Sequence, residues 1–109
     1  MKVVLQRVKK ATVSPEDETQ RSINQGLLLY VGFGHHETLE TLQWMSQKIC
    51  KLRVFPDQEG KMNLSVEDVR GELLIISQFT LYGETKKGTR PSFKQAGPPD
   101  KSKIWYQQF

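Results

Sequence analysis

One stretch limits the possible folds of this chain more than any other: Glu72-Leu73-Leu74-Ile75-Ile76-Ser77-Gln78-Phe79-Thr80-Leu81-Tyr82. Its first half is an unbroken apolar run with no Gly or Pro, which reads as a central strand buried on both faces. Carried through to Tyr82, strand alternation puts Leu74, Ile76, Gln78, Thr80 and Tyr82 on one face and Leu73, Ile75, Ser77, Phe79 and Leu81 on the other. One face thus begins as core and ends in an amide, a hydroxyl and a phenol. A strand that turns polar just before a loop can carry a ligand site. The same residues also fit side chains that are merely exposed where a strand leaves its sheet, and residue types alone do not choose between the two.

Charge adds a second landmark. The net charge of +4 lies entirely in residues 84–103, where Lys86, Lys87, Arg90, Lys94, Lys101 and Lys103 face only Glu84 and Asp100. Residues 1–83 are balanced, with ten basic and ten acidic side chains. The basic segment is rich in Gly and Pro, so it reads as a loop following the strand. It suits either an anionic partner, with phosphate first among them, or a solvated surface.

The rest of the chain supplies a scaffold. Lys2 to Val13 reads as a strand with an irregularity at Lys9-Lys10, Ser14 to Asp17 as a turn, and Thr19 to Ile23 as a polar edge strand. Leu27 to Gly34 is a second buried strand. Thr38 is the expected N-cap of an amphipathic helix in which Leu39, Leu42, Met45, Ile49 and Leu52 recur at helical spacing, with Trp44 and Met45 assigned to its packing. Arg53 to Phe55 is a short strand ended by Pro56, and Ser65 caps a single helical turn. Asp100 is the expected cap of a last helix, Lys101 to Phe109, with Ile104 and Trp105 toward the core. Strands arranged around one main covering helix, without repeated helical crossovers, predict an α+β domain over residues 1–109 with a mostly antiparallel or barrel-like sheet and a C-terminal helix.

Several chemistries find no support in this pattern. Cys50 is the only cysteine and sits within the helical pattern, where it reads as a small core residue; no disulfide or thiolate cluster can form within the chain. His35 and His36 are adjacent and do not share a face, and no suitably spaced ligand accompanies them. Gly32-Phe33-Gly34 lacks the third glycine of a nucleotide-binding loop. No apolar run approaches a membrane span, and the charged N-terminus does not resemble a signal peptide, which predicts a cytoplasmic protein. No nucleophile elbow or Ser-His-Asp set is visible.

Ser77-Gln78-Phe79-Thr80-Leu81-Tyr82 resembles the signature of the D-aminoacyl-tRNA deacylases. Leu5-Gln6-Arg7-Val8, Gly26-Leu27-Leu28, Gly60-Lys61-Met62-Asn63 and Lys87-Gly88-Thr89-Arg90-Pro91-Ser92-Phe93 are similar to other stretches of that family and occur in order along the chain. The resemblance implies hydrolysis of the ester joining a D-amino acid, or glycine, to the terminal adenosine of tRNA. It implies a catalytic role for the main chain at Gln78, Phe79 and Thr80, substrate binding by Ser77 and Arg7, and tRNA binding by Lys86, Lys87 and Arg90. It favours assistance by the tRNA 2′-hydroxyl over a Thr80 nucleophile. The implied partners are aminoacyl-tRNA and a second copy in a homodimer; no DNA, membrane, metal or cofactor is expected. In the family a Gly-cis-Pro pair after the last helix enters the partner's pocket, and Gly97-Pro98 is not that pair. The chain is expected to lack it, which leaves a tRNA-end-binding or dimerisation module as the alternative function.

Overall fold

In chain order the elements are β1 (Lys2–Val8), β2 (Ala11–Val13), β3 (Arg21–Ile23), β4 (Gly26–Gly32), α1 (Leu39–Lys51), β5 (Phe55–Pro56), β6 (Met62–Leu64), β7 (Glu72–Ser77), a 3₁₀ turn (Phe79–Tyr82) and α2 (Pro99–Gln108). The computed structural model describes all of residues 1–109. Strands β1, β4 and β7 form one sheet with β4 in the middle, β2 pairs with β3, and β5 pairs with β6. The fold is α+β, with one main helix and a C-terminal helix as expected, and its sheets do not close into a barrel.

The central strand is β4 and not β7. Leu27, Leu29 and Val31 are sealed from water, whereas β7 is an edge strand in which only Leu74 is buried and Leu73 is 37% exposed. The strand also ends at Ser77, so the expected alternation through Tyr82 stops there. Gln78 links the strand to the 3₁₀ turn, and Gln78, Thr80 and Tyr82 do not share a strand face.

The residues fall into two compact units. The first comprises Met1–Val4, Tyr30–Gln47 and Ile76–Phe109, and the second Leu5–Leu29 and Lys48–Ile75. Val31, Phe33 and Leu42 are the buried apolar residues of the first. In the second, Ile23, Leu27, Leu29, Ile49, Phe55, Val66 and Leu74 are buried.

Local chemistry accounts for the element ends. The Thr38 hydroxyl accepts the Thr41 N–H at 3.1 Å, which is the N-cap of α1, and Lys48 and Lys51 lie at the end where the helix dipole favours cations. Trp44 is 58% exposed and does not join the core packing expected of it. Ser65 and Asp68 cap each other: the Ser65 N–H donates to the Asp68 carboxylate at 2.9 Å and the Asp68 N–H to the Ser65 hydroxyl at 3.1 Å. That turn closes with Gly71 N–H on the Val66 carbonyl, Arg70 N–H on the Glu67 carbonyl and Arg70 at φ 52°, a Schellman arrangement. Pro56 lies inside β5 rather than beyond it. In α2, Pro99 occupies the first turn and Asp100 follows it, so Asp100 is not the cap, and Ile104 is 55% exposed. Proline suits this position because the first helical N–H groups have no partner within the helix.

Candidate functional site

The polar signature begins where β7 lets go of β4. The Gln78 N–H donates to the Val31 carbonyl at 2.7 Å, and the chain then turns tightly, with the Leu81 N–H on the Gln78 carbonyl and the Gly83 N–H on the Thr80 carbonyl at 2.9 Å. Gly32 makes room for this turn: a Cβ there would lie 2.9 Å from the Gln78 carbonyl oxygen and 3.3 Å from both Leu81 and Tyr82. The N–H groups of Phe79 and Thr80 precede the first hydrogen bond of the 3₁₀ turn, so the turn itself leaves them as donors. The Gln78 N–H, in contrast, is committed to the sheet.

The Gln78 side-chain amide donates to the Thr80 hydroxyl. An amide nitrogen cannot accept a proton, so this contact orients Thr80 without activating it as a nucleophile. Tyr82 faces inward. Its phenol lies beside Gly34, burial and then the negative charge of Glu37 push its pKa above the usual 10.0, and the Lys2 ammonium sits 4.7 Å from its ring centroid. Glu37 in turn accepts the Gly34 N–H and pairs with the Met1 ammonium, both at 2.7 Å. Tyr82 is therefore a buttress of the turn, not the third member of a polar face.

Ser77 and Phe79 open into a cavity of about 420 Å³ completed by Gly97, Pro99, Ser102, Lys103 and Tyr106. The helix α2 comes this close because Gly97 has no side chain. Its N–H donates to the Phe33 carbonyl at 2.8 Å, and a Cβ on Gly97 would lie 2.2 Å from the Gly34 carbonyl oxygen. Trp105 anchors the same helix on Phe33, with ring centroids 6.2 Å apart. Sequence reasoning missed Ser102 and Tyr106 and counted Lys103 only among the basic residues of 84–103. The one signal for Ser102 and Tyr106 was helical spacing, the two being four residues apart and thus on one face.

The basic loop is a pinned hairpin. Glu84 and Ser92 exchange both backbone hydrogen bonds at 2.8 Å, and the His35 Nε2–H donates to the Lys94 carbonyl. Lys86, Lys87 and Arg90 are brought together here around a concavity of about 260 Å³ that Glu84, Ser92 and Lys94 complete. Glu84 offsets little of this charge, standing 3.7 Å from a Lys86 ammonium that is 85% exposed. Four cations around one small hollow can hold phosphate oxygens.

Arg7 belongs to the second unit. Its guanidinium donates to the Val54 carbonyl at 2.6 Å, beside a cavity of about 330 Å³ lined also by Val8, Lys9, Gln25, Phe55 and Pro56. No helix of the chain is long and apolar enough to cross a membrane.

Comparison with known proteins agrees along the whole chain. Residues 4–109 match the family described as D-Tyr-tRNA(Tyr) deacylase. All 109 residues align at 50% identity with a D-aminoacyl-tRNA deacylase of Thermotoga petrophila and, equally, with one of an Exiguobacterium species, covering 73% and 74% of those relatives. Among solved structures the chain is similar to one described as c-Myc DNA unwinding element binding protein, with a TM-score of 0.89 and 38% identity over 98% of this chain and 72% of that one. It shares its fold with a probable eukaryotic D-amino acid tRNA deacylase, with a TM-score of 0.82 and 21% identity over 97% of this chain and 62% of the other.

Proposed function

The chain belongs to the D-Tyr-tRNA(Tyr) deacylase family and is a hydrolase of the D-aminoacyl-tRNA ester, and from that premise we propose how its residues divide the work. The observation that carries the reading is the match across residues 4–109, within which the signature falls on a 3₁₀ turn whose own hydrogen bonds do not use the Phe79 and Thr80 N–H groups.

The N–H groups of Phe79 and Thr80 face the carbonyl oxygen of the ester and stabilise the charge that develops on it. Gln78 contributes differently. Its N–H fastens the turn to the Val31 carbonyl, and its side chain ties the Thr80 hydroxyl back within the turn. No histidine or carboxylate is hydrogen-bonded to Thr80, so the 2′-hydroxyl of the terminal ribose assists attack by water while the protein supplies position and electrostatics. Ser77 lines the cavity of about 420 Å³ beside the turn and contributes to substrate binding there. Lys86, Lys87 and Arg90 bind phosphates of the tRNA, and Arg7 acts in substrate binding.

Glycine attached to a non-cognate tRNA is a second substrate, because a site built on main-chain donors does not require a side chain. The protein works in the cytoplasm as a homodimer. The solved relative named for binding a DNA element raises DNA as a competing ligand, and the hairpin cations would attract any polyanion. Only tRNA presents an aminoacyl ester to the turn, so DNA is not the working partner.

Release of D-tyrosine from D-tyrosyl-tRNA, with L-tyrosyl-tRNA spared, is the test. Rates equal to those in buffer on both substrates would overturn the reading, and salt-sensitive tRNA binding without turnover would leave a binding module in its place.

A further inference from the structure

Two phenylalanine rings near the signature are left in water. Phe79 is 59% exposed and Phe93 40%, and they meet edge to face with centroids 5.4 Å apart. Phe93 is held rigidly. Its ring rests on Gly83, where an added Cβ would lie 3.0 Å from Cε1, and its carbonyl accepts the Ala96 N–H at 3.0 Å. The preceding residue, Ser92, is locked to Glu84 on both sides of its peptide. An exposed aromatic ring whose rotamer and backbone are fixed in advance loses little entropy on contact with a ligand.

Its neighbours indicate which ligand. Ser92 and Lys94 flank Phe93 in the chain and both line the cationic concavity, while its contact partner Phe79 lines the cavity at the signature turn. The ring thus stands between a place for phosphate and a place for the ester. A flat apolar face beside clustered cations matches an unpaired nucleotide, whose base stacks while its phosphate is neutralised.

We propose that Phe93 is the stacking platform for the nucleobase just before the terminal adenosine of the tRNA, with that nucleotide's phosphate held by Lys86, Lys87, Arg90 and Lys94. This deepens the reading of the substrate as D-aminoacyl-tRNA and rests on it. Stacking accepts any base, so the subsite adds affinity without adding sequence preference.

The test uses an RNA hairpin ending in CCA with a fluorescent cytosine analogue at the penultimate position, and compares the wild type with Phe93→Leu and Phe93→Trp. Leucine retains apolar packing against Phe79 and Gly83 but has no π face. The wild type and Phe93→Trp should quench the analogue on binding, while Phe93→Leu should lose the quench and bind about tenfold more weakly. Quenching and affinity in Phe93→Leu within twofold of wild type overturn the proposal. Should Phe93→Leu fail to fold, Phe93→Trp decides alone: indole emission that responds to the RNA beyond the response of the wild-type tryptophans supports stacking, and emission that does not respond overturns it. The two readings also fail separately. A wild type that does not deacylate D-tyrosyl-tRNA removes the underlying function, whereas normal deacylation with an unaltered Phe93→Leu variant removes only the platform.

Discussion

The Gln78 N–H and the Val31 carbonyl, 2.7 Å apart, form the last fastening between the sheet and the signature turn. Everything beyond it, including the donors at Phe79 and Thr80, takes its position from this bond and from the bare Cα of Gly32. Placement of the main chain should therefore matter more than the Thr80 hydroxyl. Thr80→Val is expected to stay within about threefold of wild-type kcat, because a hydroxyl with no part in the transition state gives no differential stabilisation. Gly32→Ala, whose Cβ must push away the Gln78 carbonyl 2.9 Å distant, should lower kcat about 100-fold by displacing the donors. Single-turnover deacylation of D-tyrosyl-tRNA measures both, and a larger loss for Thr80→Val would restore the side chain as the catalytic group.

A second glycine tests steric closure in the other unit. A Cβ on Gly26 would lie 1.9 Å from the Glu72 carbonyl oxygen, where the Glu72 N–H bonds to the Gln25 carbonyl at 3.0 Å. Gly26→Ala must separate these backbones and should cost about 3 kcal/mol or more in denaturant unfolding. Gly60 separates the role of space from that of conformation, since nothing lies near it but its φ is 81°. Gly60→Ala should cost about 1 kcal/mol through backbone strain alone.

These glycines also show how far the sequence could be read. Both Leu27–Val31 and Leu73–Ile76 present as apolar runs, and nothing local marks β4 as central and β7 as the edge, because rank in a sheet is decided by pairing between distant segments. The end of β7 was hidden for the same reason. Ser77 to Tyr82 contains no Gly or Pro, and the turn is imposed from outside by Val31 and Gly32. Charge clustering at Lys86, Lys87 and Arg90 was legible because it is local. The contribution of Ser102, Lys103 and Tyr106 was not, because it depends on the close approach of Gly97 to Gly34.

Acid should weaken the second unit. Hydrogen bonds hold the Asp57 carboxyl below its ordinary 3.8: the Lys61 N–H is the largest cause, and the Glu59 N–H and the Asn63 amide add to it. Asp68 is lowered in the same direction by the Ser65 N–H and then its hydroxyl, with Arg53 adding a weaker charge effect. A depressed folded-state pKa means that the unfolded chain takes up protons first as pH falls. The stabilisation is therefore complete above about pH 5 and is lost as pH drops below 3.8 through the folded values. Urea titrations at pH 7, 4 and 3 should show this fall, and Asp57→Asn should flatten part of it while lowering stability at pH 7. An unchanged slope in Asp57→Asn would remove Asp57 from the account.

His35 ties the basic hairpin to the rest of its unit. Its Nε2 meets a carbonyl oxygen, which can only accept, so the ring nitrogen must carry the proton and donate to the Lys94 carbonyl. Loss of this bond frees the segment that carries Lys94 and slackens the four cations without removing any of them. His35→Ala should raise KM for D-aminoacyl-tRNA about threefold to tenfold with kcat little changed, since scattered charges bind phosphate less well but the turn at Phe79 and Thr80 is still fastened through Gln78. His35→Gln keeps an N–H at similar reach and should recover most of the loss. Limited proteolysis supplies a readout independent of substrate: trypsin should cut after Lys86, Lys87 or Lys94 faster in His35→Ala than in the wild type or His35→Gln. Equal cleavage in all three, or a loss confined to kcat, would mean that the His35 contact does not position the hairpin.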